Sequence, residues 1–162
     1  MYYEKNIQLN KYILYIDMDG VMCDFYKAKE EALNRNPHNK FPQSEYGFFT
    51  NLEPIDNAIY SIKRLMESDS FEVYVLTAPS IFNPLCYTEK RVWIEKHFGM
   101  GLVRNMIISP NKGLSKGDIL IDDNIKGCGQ NMFEGELIHF GSNRFPNWNE
   151  ILIYLNKYGK DK

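Results

Sequence analysis

Five short apolar runs punctuate the chain, and each stops abruptly at a polar or small residue. Tyr12-Ile13-Leu14-Tyr15-Ile16 stops at Asp17, and Phe71 to Leu76 stops at Thr77. Met106-Ile107-Ile108 stops at Ser109, Ile119-Leu120-Ile121 at Asp122, and Leu137-Ile138-His139-Phe140 at Gly141. Short runs of this kind, apolar on both faces, predict buried strands of a parallel sheet. Between them the period lengthens. Ile55, Ala58, Ile59, Ile62, Leu65 and Met66 recur at helical spacing behind Pro54, which predicts a helix. Asp24 to Asn36 predicts another, stopped at Pro37, and Thr88 to Phe98 a third, with Gly99 placed to end it. Trp148, Ile151, Leu152 and Leu155 form the core-facing stripe of a last helix. The tail from Tyr158 to Lys162 is expected to fray. Pro37 to Asn51 is irregular and rich in Pro, Asn and aromatic residues, like an insertion.

Strands that alternate with helices predict an α/β fold around a parallel sheet. In such sheets ligands bind outside the carboxyl ends of the strands. Those ends hold Asp17, Thr77, Ser109 and Asp122.

Composition narrows the function. The 162 residues suit one domain, and 44% hydrophobic with 25% charged residues is ordinary globular usage. Disordered, collagen-like and coiled-coil classes are excluded on that basis. With 19 basic and 21 acidic side chains the net charge is −2, without the basic excess that a nucleic-acid polymer demands. A phosphate would therefore be met by a local device, a metal or a few donors. Cys23, Cys86 and Cys128 are odd in number and widely spaced, so neither a disulfide framework nor a zinc site is expected. Cys23 reads as a buried, inert thiol. Met1–Asn6 lacks the apolar core of a signal peptide, and no run is long enough to span a membrane. A cytoplasmic location without membrane partners is expected.

The candidate chemistry lies at the strand ends. Asp17-Met18-Asp19-Gly20-Val21 puts two carboxylates two residues apart beside a residue that lets the backbone turn sharply. Thr77 offers a hydroxyl to a phosphate oxygen. Lys112 and Lys116 offer positive charge after the third strand. Asp122-Asp123 crowds two acids together, as a cation site would. His38, His97 and His139 show no ligand spacing, and Arg144 follows the fifth strand within conceivable reach of a substrate.

The order Asp-x-Asp, Thr, Lys, Asp-Asp resembles the haloacid-dehalogenase (HAD) phosphohydrolase superfamily, whose four motifs match Asp17 to Val21, Val75-Leu76-Thr77, Lys112, and Ile121-Asp122-Asp123. Longer stretches resemble the 5′(3′)-deoxyribonucleotidases: Ile16 to Phe25, Gly47 to Pro54, Glu89 to Gly99, and Asn111-Lys112 with Gly117 to Asp123. The similarity covers about residues 12 to 155. Lys112 stands six residues before Asp118, as the family's lysine does, which favours it over Lys116.

The resemblance implies a HAD-like Rossmannoid three-layer fold, with a central five-stranded, mostly parallel sheet. It implies one domain over residues 1–162, with a small helical cap insertion at about 24–53. It implies a Mg²⁺-dependent phosphomonoesterase acting on (deoxy)nucleoside monophosphates. Asp17 would be the nucleophile that forms an aspartyl-phosphate, and Asp19 the general acid and base. Thr77, Ala78 and Lys112 would bind the phosphate. Mg²⁺ would be held by Asp17, the backbone carbonyl of Asp19 and Asp123, with Asp122 in support. Phe25, Phe48 and Phe49 would wall the leaving group. Two features depart from the family: the segment before Gly47 is short for a cap that stacks on a nucleobase, and Ala78 stands where the family usually has Ser. These leave open a phosphatase of another small metabolite. A catalytically silent phosphate- or nucleotide-binding protein is a further alternative, although binding alone would not need the Asp19 carboxyl. A homodimer, in which a second copy completes the 37–51 insertion, is also left open.

Overall fold

A computed structural model describes residues 11–159. The reading of Met1–Asn6 and the expected fraying of 160–162 lie outside the described residues. Five strands form one sheet: β1 (Tyr12–Ile16), β2 (Phe71–Thr77), β3 (Met106–Ile108), β4 (Ile119–Asp122) and β5 (Glu136–His139). Their order is β3-β2-β1-β4-β5 and every ladder is parallel. The strands fall where the apolar runs place them. β5 begins and ends one residue earlier than its run, and β2 and β4 each take in the polar residue at their end. The helices are α1 (Phe25–Arg35), α2 (Ala58–Glu67), α3 (Cys86–Arg104) and α4 (Trp148–Leu155).

Alternate residues of each strand serve different faces. Leu14, Ile16, Val73, Val75, Ile119, Ile121 and Ile138 join one large cluster with side chains from all four helices, among them Ala32, Ile62, Trp93 and Trp148. The opposite face gathers Tyr15, Leu76 and Leu120 around Phe133. No α-helix covers that face among the described residues. The β3–β4 and β4–β5 connections cross it with single 3₁₀ turns, Lys112–Leu114 and Gln130–Met132. The third layer is thus built of turns. The connections are too short to carry helices, and only a small apolar cluster needs cover.

α3 starts two residues before the helical run in the sequence. Gly99 breaks it at φ +72° and ψ −174°, after which a short turn continues to Arg104. Tyr158 is held rather than frayed: its hydroxyl and that of Tyr154 both donate to Glu136 at the start of β5. The two tryptophans anchor loops as well as filling the core. Trp148 Nε1 donates to Val21 O at 2.9 Å, just behind the β1 carboxylates, and Trp93 Nε1 donates to Leu52 O at 2.7 Å.

Candidate active site

The parallel order brings the carboxyl ends of β1, β2 and β4 side by side, and the loops there carry the charged groups. The β1 loop is wound tightly. Met22 and Cys23 N–H both donate to Met18 O, and Gly20 N–H donates to Cys23 O. Gly20 takes φ +77°, a conformation that favours glycine. A Cβ there would lie 2.4 Å from Asp123 Oδ2. The loop can therefore press against the end of β4 only because position 20 has no side chain. Cys23 is buried, and its thiol donates to Met18 O at 3.3 Å. Burial, with the Asp19 charge nearby, pushes that thiol well up, which disfavours the thiolate a nucleophile would need.

Asp17 is buried at the tip of β1, with Oδ1 2.8 Å from Lys112 Nζ. Lys112, 1% exposed, also pairs with Asp122 at the tip of β4. Burial alone would lower its pKa, but the Asp17 and Asp122 charges outweigh it and hold the ammonium charged. Lys116 is exposed and touches the fold through its backbone carbonyl, which accepts from Tyr15 OH. Geometry thus sides with Lys112. Asp122 is fully engaged. It accepts from Lys112, from Asn124 N–H at 2.9 Å and from buried Gln130 Nε2 at 3.3 Å. Burial and the neighbouring Asp17 charge push it up to about 6. Asp123 accepts from Tyr26 OH at 2.7 Å and from Asn124 Nδ2 at 2.8 Å. Its carboxyl is raised by burial, against the Tyr26 bond. Tyr26 is pushed up to about 12 by burial and by that same carboxylate.

Asp19 belongs to a second ion pair. Its Oδ2 lies 2.8 Å from Lys90 Nζ, and Lys90 reaches Thr77 Oγ1 and Ala78 O at 2.8 Å each. Burial raises the Asp19 carboxyl against the pull of Lys90, and Asp17 raises it further. Thr77 is buried and Ala78 half-buried. Every residue expected at the phosphate and the metal is therefore in one neighbourhood.

The three phenylalanines are placed differently from an open wall. Their rings pack on one another with centroids 5.2–6.2 Å apart. Phe49 is 1% exposed and Phe48 is buried, which leaves only Phe25 with part of its ring at the surface. The Phe49 ring faces Lys90 Nζ at 5.0 Å. The Arg144 guanidinium lies over the rings of Phe145 and Tyr154, 5.0 and 4.8 Å from their centroids.

Sequence reasoning missed Lys90, Tyr26, Gln130 and Glu89. Glu89 is buried, and its carboxylate accepts from the N–H groups of Gly47 and Phe49 at 2.8 and 3.1 Å. Lys90 left a signal. It shares helical spacing with Cys86, Trp93 and Ile94, so it is a lysine on a core-facing stripe. Tyr26 and Gln130 left none.

The donors suit a hard divalent cation. Asp17, Asp122 and Asp123 each place a carboxylate oxygen within 4.8 Å of the others. Across the whole site four carboxylates face two ammoniums. With all four ionised, the two uncompensated negative charges match one divalent cation that takes oxygen ligands.

The chain is similar to several known proteins. The family described as 5′ nucleotidase, deoxy (Pyrimidine), cytosolic type C protein matches residues 38–154. That stretch excludes the Asp17–Asp24 loop, so the match and the loop are separate observations. A Vibrio phage KVP40 protein, provisionally assigned as a 5′(3′)-deoxyribonucleotidase, is 35% identical over 156 residues, covering 93% of this chain and 88% of its own. The 5′(3′)-deoxyribonucleotidase of Bacillus subtilis is 29% identical over 167 residues, 90% and 94% of the two chains. The cytosolic type of Homo sapiens is 26% identical over 171 residues, 85% and 77%. No helix among the described residues is long and apolar enough to cross a membrane. With the resemblance read from its motifs borne out by these matches, the chain belongs to the deoxy (pyrimidine), cytosolic type C family of 5′ nucleotidases, a HAD-like phosphatase family.

Proposed function

We propose that this protein is a Mg²⁺-dependent phosphomonoesterase that hydrolyses (deoxy)nucleoside monophosphates through an aspartyl-phosphate on Asp17. The observation that carries the reading is the convergence of Asp17, Asp19, Thr77, Lys112 and Asp123 at the carboxyl ends of three adjacent parallel strands. The family membership and the names of the relatives support the substrate class. Asp17, the Asp19 backbone carbonyl and Asp123 would hold the ion. Asp122, whose oxygens are taken by Lys112, Asn124 and Gln130, would stand behind them. The ion would screen the phosphate dianion from the attacking carboxylate.

An Asp17 carboxylate oxygen attacks phosphorus while the ester P–O bond breaks. The Asp19 carboxyl gives its proton to the leaving oxygen, and its raised pKa suits it to carry one. The Asp19 carboxylate then takes a proton from water as that water attacks the same phosphorus. The bond to Asp17 breaks, inorganic phosphate leaves, and both aspartates return to their starting states. Lys112 and the Thr77 hydroxyl stabilise charge on the transferring phosphoryl group. Ala78 contributes a backbone group at most, having no hydroxyl.

Residues 1–162 form one HAD-like unit in this reading, and 24–53 serves as its cap. That cap is a fixed wall rather than a hinge, because Glu89, Asn83 and Trp93 tie it to α3 and the loop before it. Phe25 presents the apolar edge to the leaving group, with Phe48 and Phe49 backing it. Their burial also favours a second reading, a small phosphorylated metabolite without a base to stack.

The test is phosphate release from a panel of nucleoside monophosphates and simple phosphomonoesters, with Mg²⁺ or with EDTA. Turnover should require Mg²⁺, and Asp17→Asn should lower it by at least ~10³-fold. Preference for a nucleotide over a plain sugar phosphate supports the first substrate class, and the reverse supports the second. No release from any member, or full activity in Asp17→Asn, overturns the mechanism.

A further inference from the structure

Lys90 has no counterpart in the chemistry read from the motifs, yet it is 0% exposed and its ammonium points into the site. A buried charge of this kind is expensive unless every donor is matched. Here the match is complete. An ammonium has three donors and no acceptor, and the three acceptors are Asp19 Oδ2, Thr77 Oγ1 and Ala78 O, each at 2.8 Å. Packing alone does not ask for a charge at this point. The neighbours of Lys90 on the α3 stripe are Cys86, Trp93 and Ile94, all buried, and the Phe49 ring lies beside it.

The direction of these bonds has a chemical consequence. Lys90 can only donate, so Thr77 Oγ1 accepts from it. The hydroxyl hydrogen of Thr77 must then point elsewhere, and no acceptor takes it among the described residues. Thr77 is thereby fixed as a donor. The same ammonium holds Asp19 through Oδ2 and leaves Oδ1 clear of it, facing the weakly donating Cys23 thiol at 3.9 Å. The Ala78 carbonyl supplies the third acceptor, so the residue that lacks the family's hydroxyl still completes the lysine's shell. With one hydroxyl on this loop instead of two, the aim of that hydroxyl matters more.

We propose that Lys90 is a positioning residue for phosphoryl transfer, which turns the Thr77 hydroxyl into a dedicated donor to the phosphoryl oxygens and holds the Asp19 carboxyl by one oxygen, so that the other, met only weakly by the Cys23 thiol, is left for proton transfer. The proposal rests on the phosphatase reading above. Its action is through Thr77 and Asp19, and the coupling to Thr77 is what separates it from a merely structural buried charge.

The experiment is a double-mutant cycle of Lys90→Met and Thr77→Val, with Lys90→Gln as the conservative variant. It is read on kcat, on KM and on the Kd of inorganic phosphate in the presence of Mg²⁺. Thermal unfolding reports whether each variant folds. Lys90→Met should lower kcat about 10²-fold and change KM by less than about threefold, because a mis-aimed donor is missed chiefly in the transition state. Lys90→Gln, which keeps N–H donors, should recover about tenfold of that loss. Thr77→Val should cost about tenfold or more when Lys90 is present, but under about threefold in the Lys90→Met background, because the hydroxyl is no longer aimed there. Should the Met variant fail to fold, the Gln variant carries the cycle. Retention of kcat within about threefold in the Lys90 variants, or losses that simply multiply, overturns the proposal. If the unaltered protein releases no phosphate, the phosphatase reading fails by itself. The cycle on phosphate Kd then decides the role of Lys90: coupling between the two positions upholds the aimed hydroxyl, and additivity or absence of phosphate binding overturns it.

Discussion

Gly20 is the residue on which the carboxylate pair depends most directly. Its φ of +77° and the 2.4 Å approach of a built Cβ to Asp123 Oδ2 are independent reasons for glycine. Gly20→Ala should therefore lower stability by about 1–3 kcal/mol, the usual size of a strained backbone position. It should also weaken Mg²⁺ binding, because the displaced oxygen belongs to Asp123. Thermal unfolding with and without Mg²⁺ checks both effects. A variant as stable as the parent, with unchanged metal affinity, would refute the argument. At this scale the motif carboxylates and Thr77 were legible because each follows closely on an apolar run, whereas Lys112 was told from Lys116 only by its resemblance to the family's motif lysine, six residues before Asp118. Lys90 was harder to see, since in a charged stretch such as Glu89-Lys90-Arg91 only the spacing to Cys86 and Trp93 marks it as buried.

Among the elements, α3 links the sheet to the segment proposed as the cap. Glu89 and Lys90 are adjacent, yet one caps the backbone of residues 47–49 and the other enters the site. Asn83 adds a bond to Gln43 O at 3.2 Å and one to Glu89 Oε2 at 3.3 Å. Glu89→Ala would leave two backbone N–H groups unmatched. It should cost about 1–3 kcal/mol and raise hydrogen exchange at Gly47 and Phe49, with the sheet unaffected. Exchange measured by mass spectrometry checks this, and unchanged protection at 47–49 would rule the strap out. The strands were read nearly to the residue, because a short apolar run bounded by polar residues has few alternatives, even though the outer strands β3 and β5 are mostly part-buried and not enclosed on both faces. The turns over the second face were invisible, because Lys112–Leu114 and Gln130–Met132 carry no period.

For the molecule as a whole, the crowding of acids makes stability depend on pH and metal together. Asp122 is pushed up to about 6 by burial and by Asp17, and Asp19 and Asp123 are raised as well, burial first. A raised carboxyl binds its proton more tightly in the folded state than in the unfolded chain. The contribution of these groups is present at acid pH and is lost as pH rises through about 6. The metal-free protein should therefore gain stability from these groups on going from pH 7 to pH 5. Mg²⁺, which needs the same carboxylates ionised, should stabilise more at pH 7 than at pH 5. Unfolding curves at the two pH values, with EDTA or Mg²⁺, check the sign. An apo-protein that loses stability from pH 7 to pH 5, with a Mg²⁺ increment independent of pH, would contradict it.

The sequence by itself determined the sheet, the strand ends and the order of the chemical groups along them. These follow from local causes: an apolar run is driven out of water into the sheet, and the first polar residue after it marks the edge of the sheet. The tertiary structure alone decided what stands between those groups. Asp17 and Asp122 are distant in the chain, and only the adjacency of β1 and β4 lets one lysine serve both. Lys90 and Tyr26 enter the site from helices whose sequences speak of packing or exposure. Phe48 and Phe49, aromatic beside a candidate site, turn inward because α1 and α3 close over them. Whether a side chain faces a ligand or a neighbour depends on contacts between distant segments, which no local period encodes.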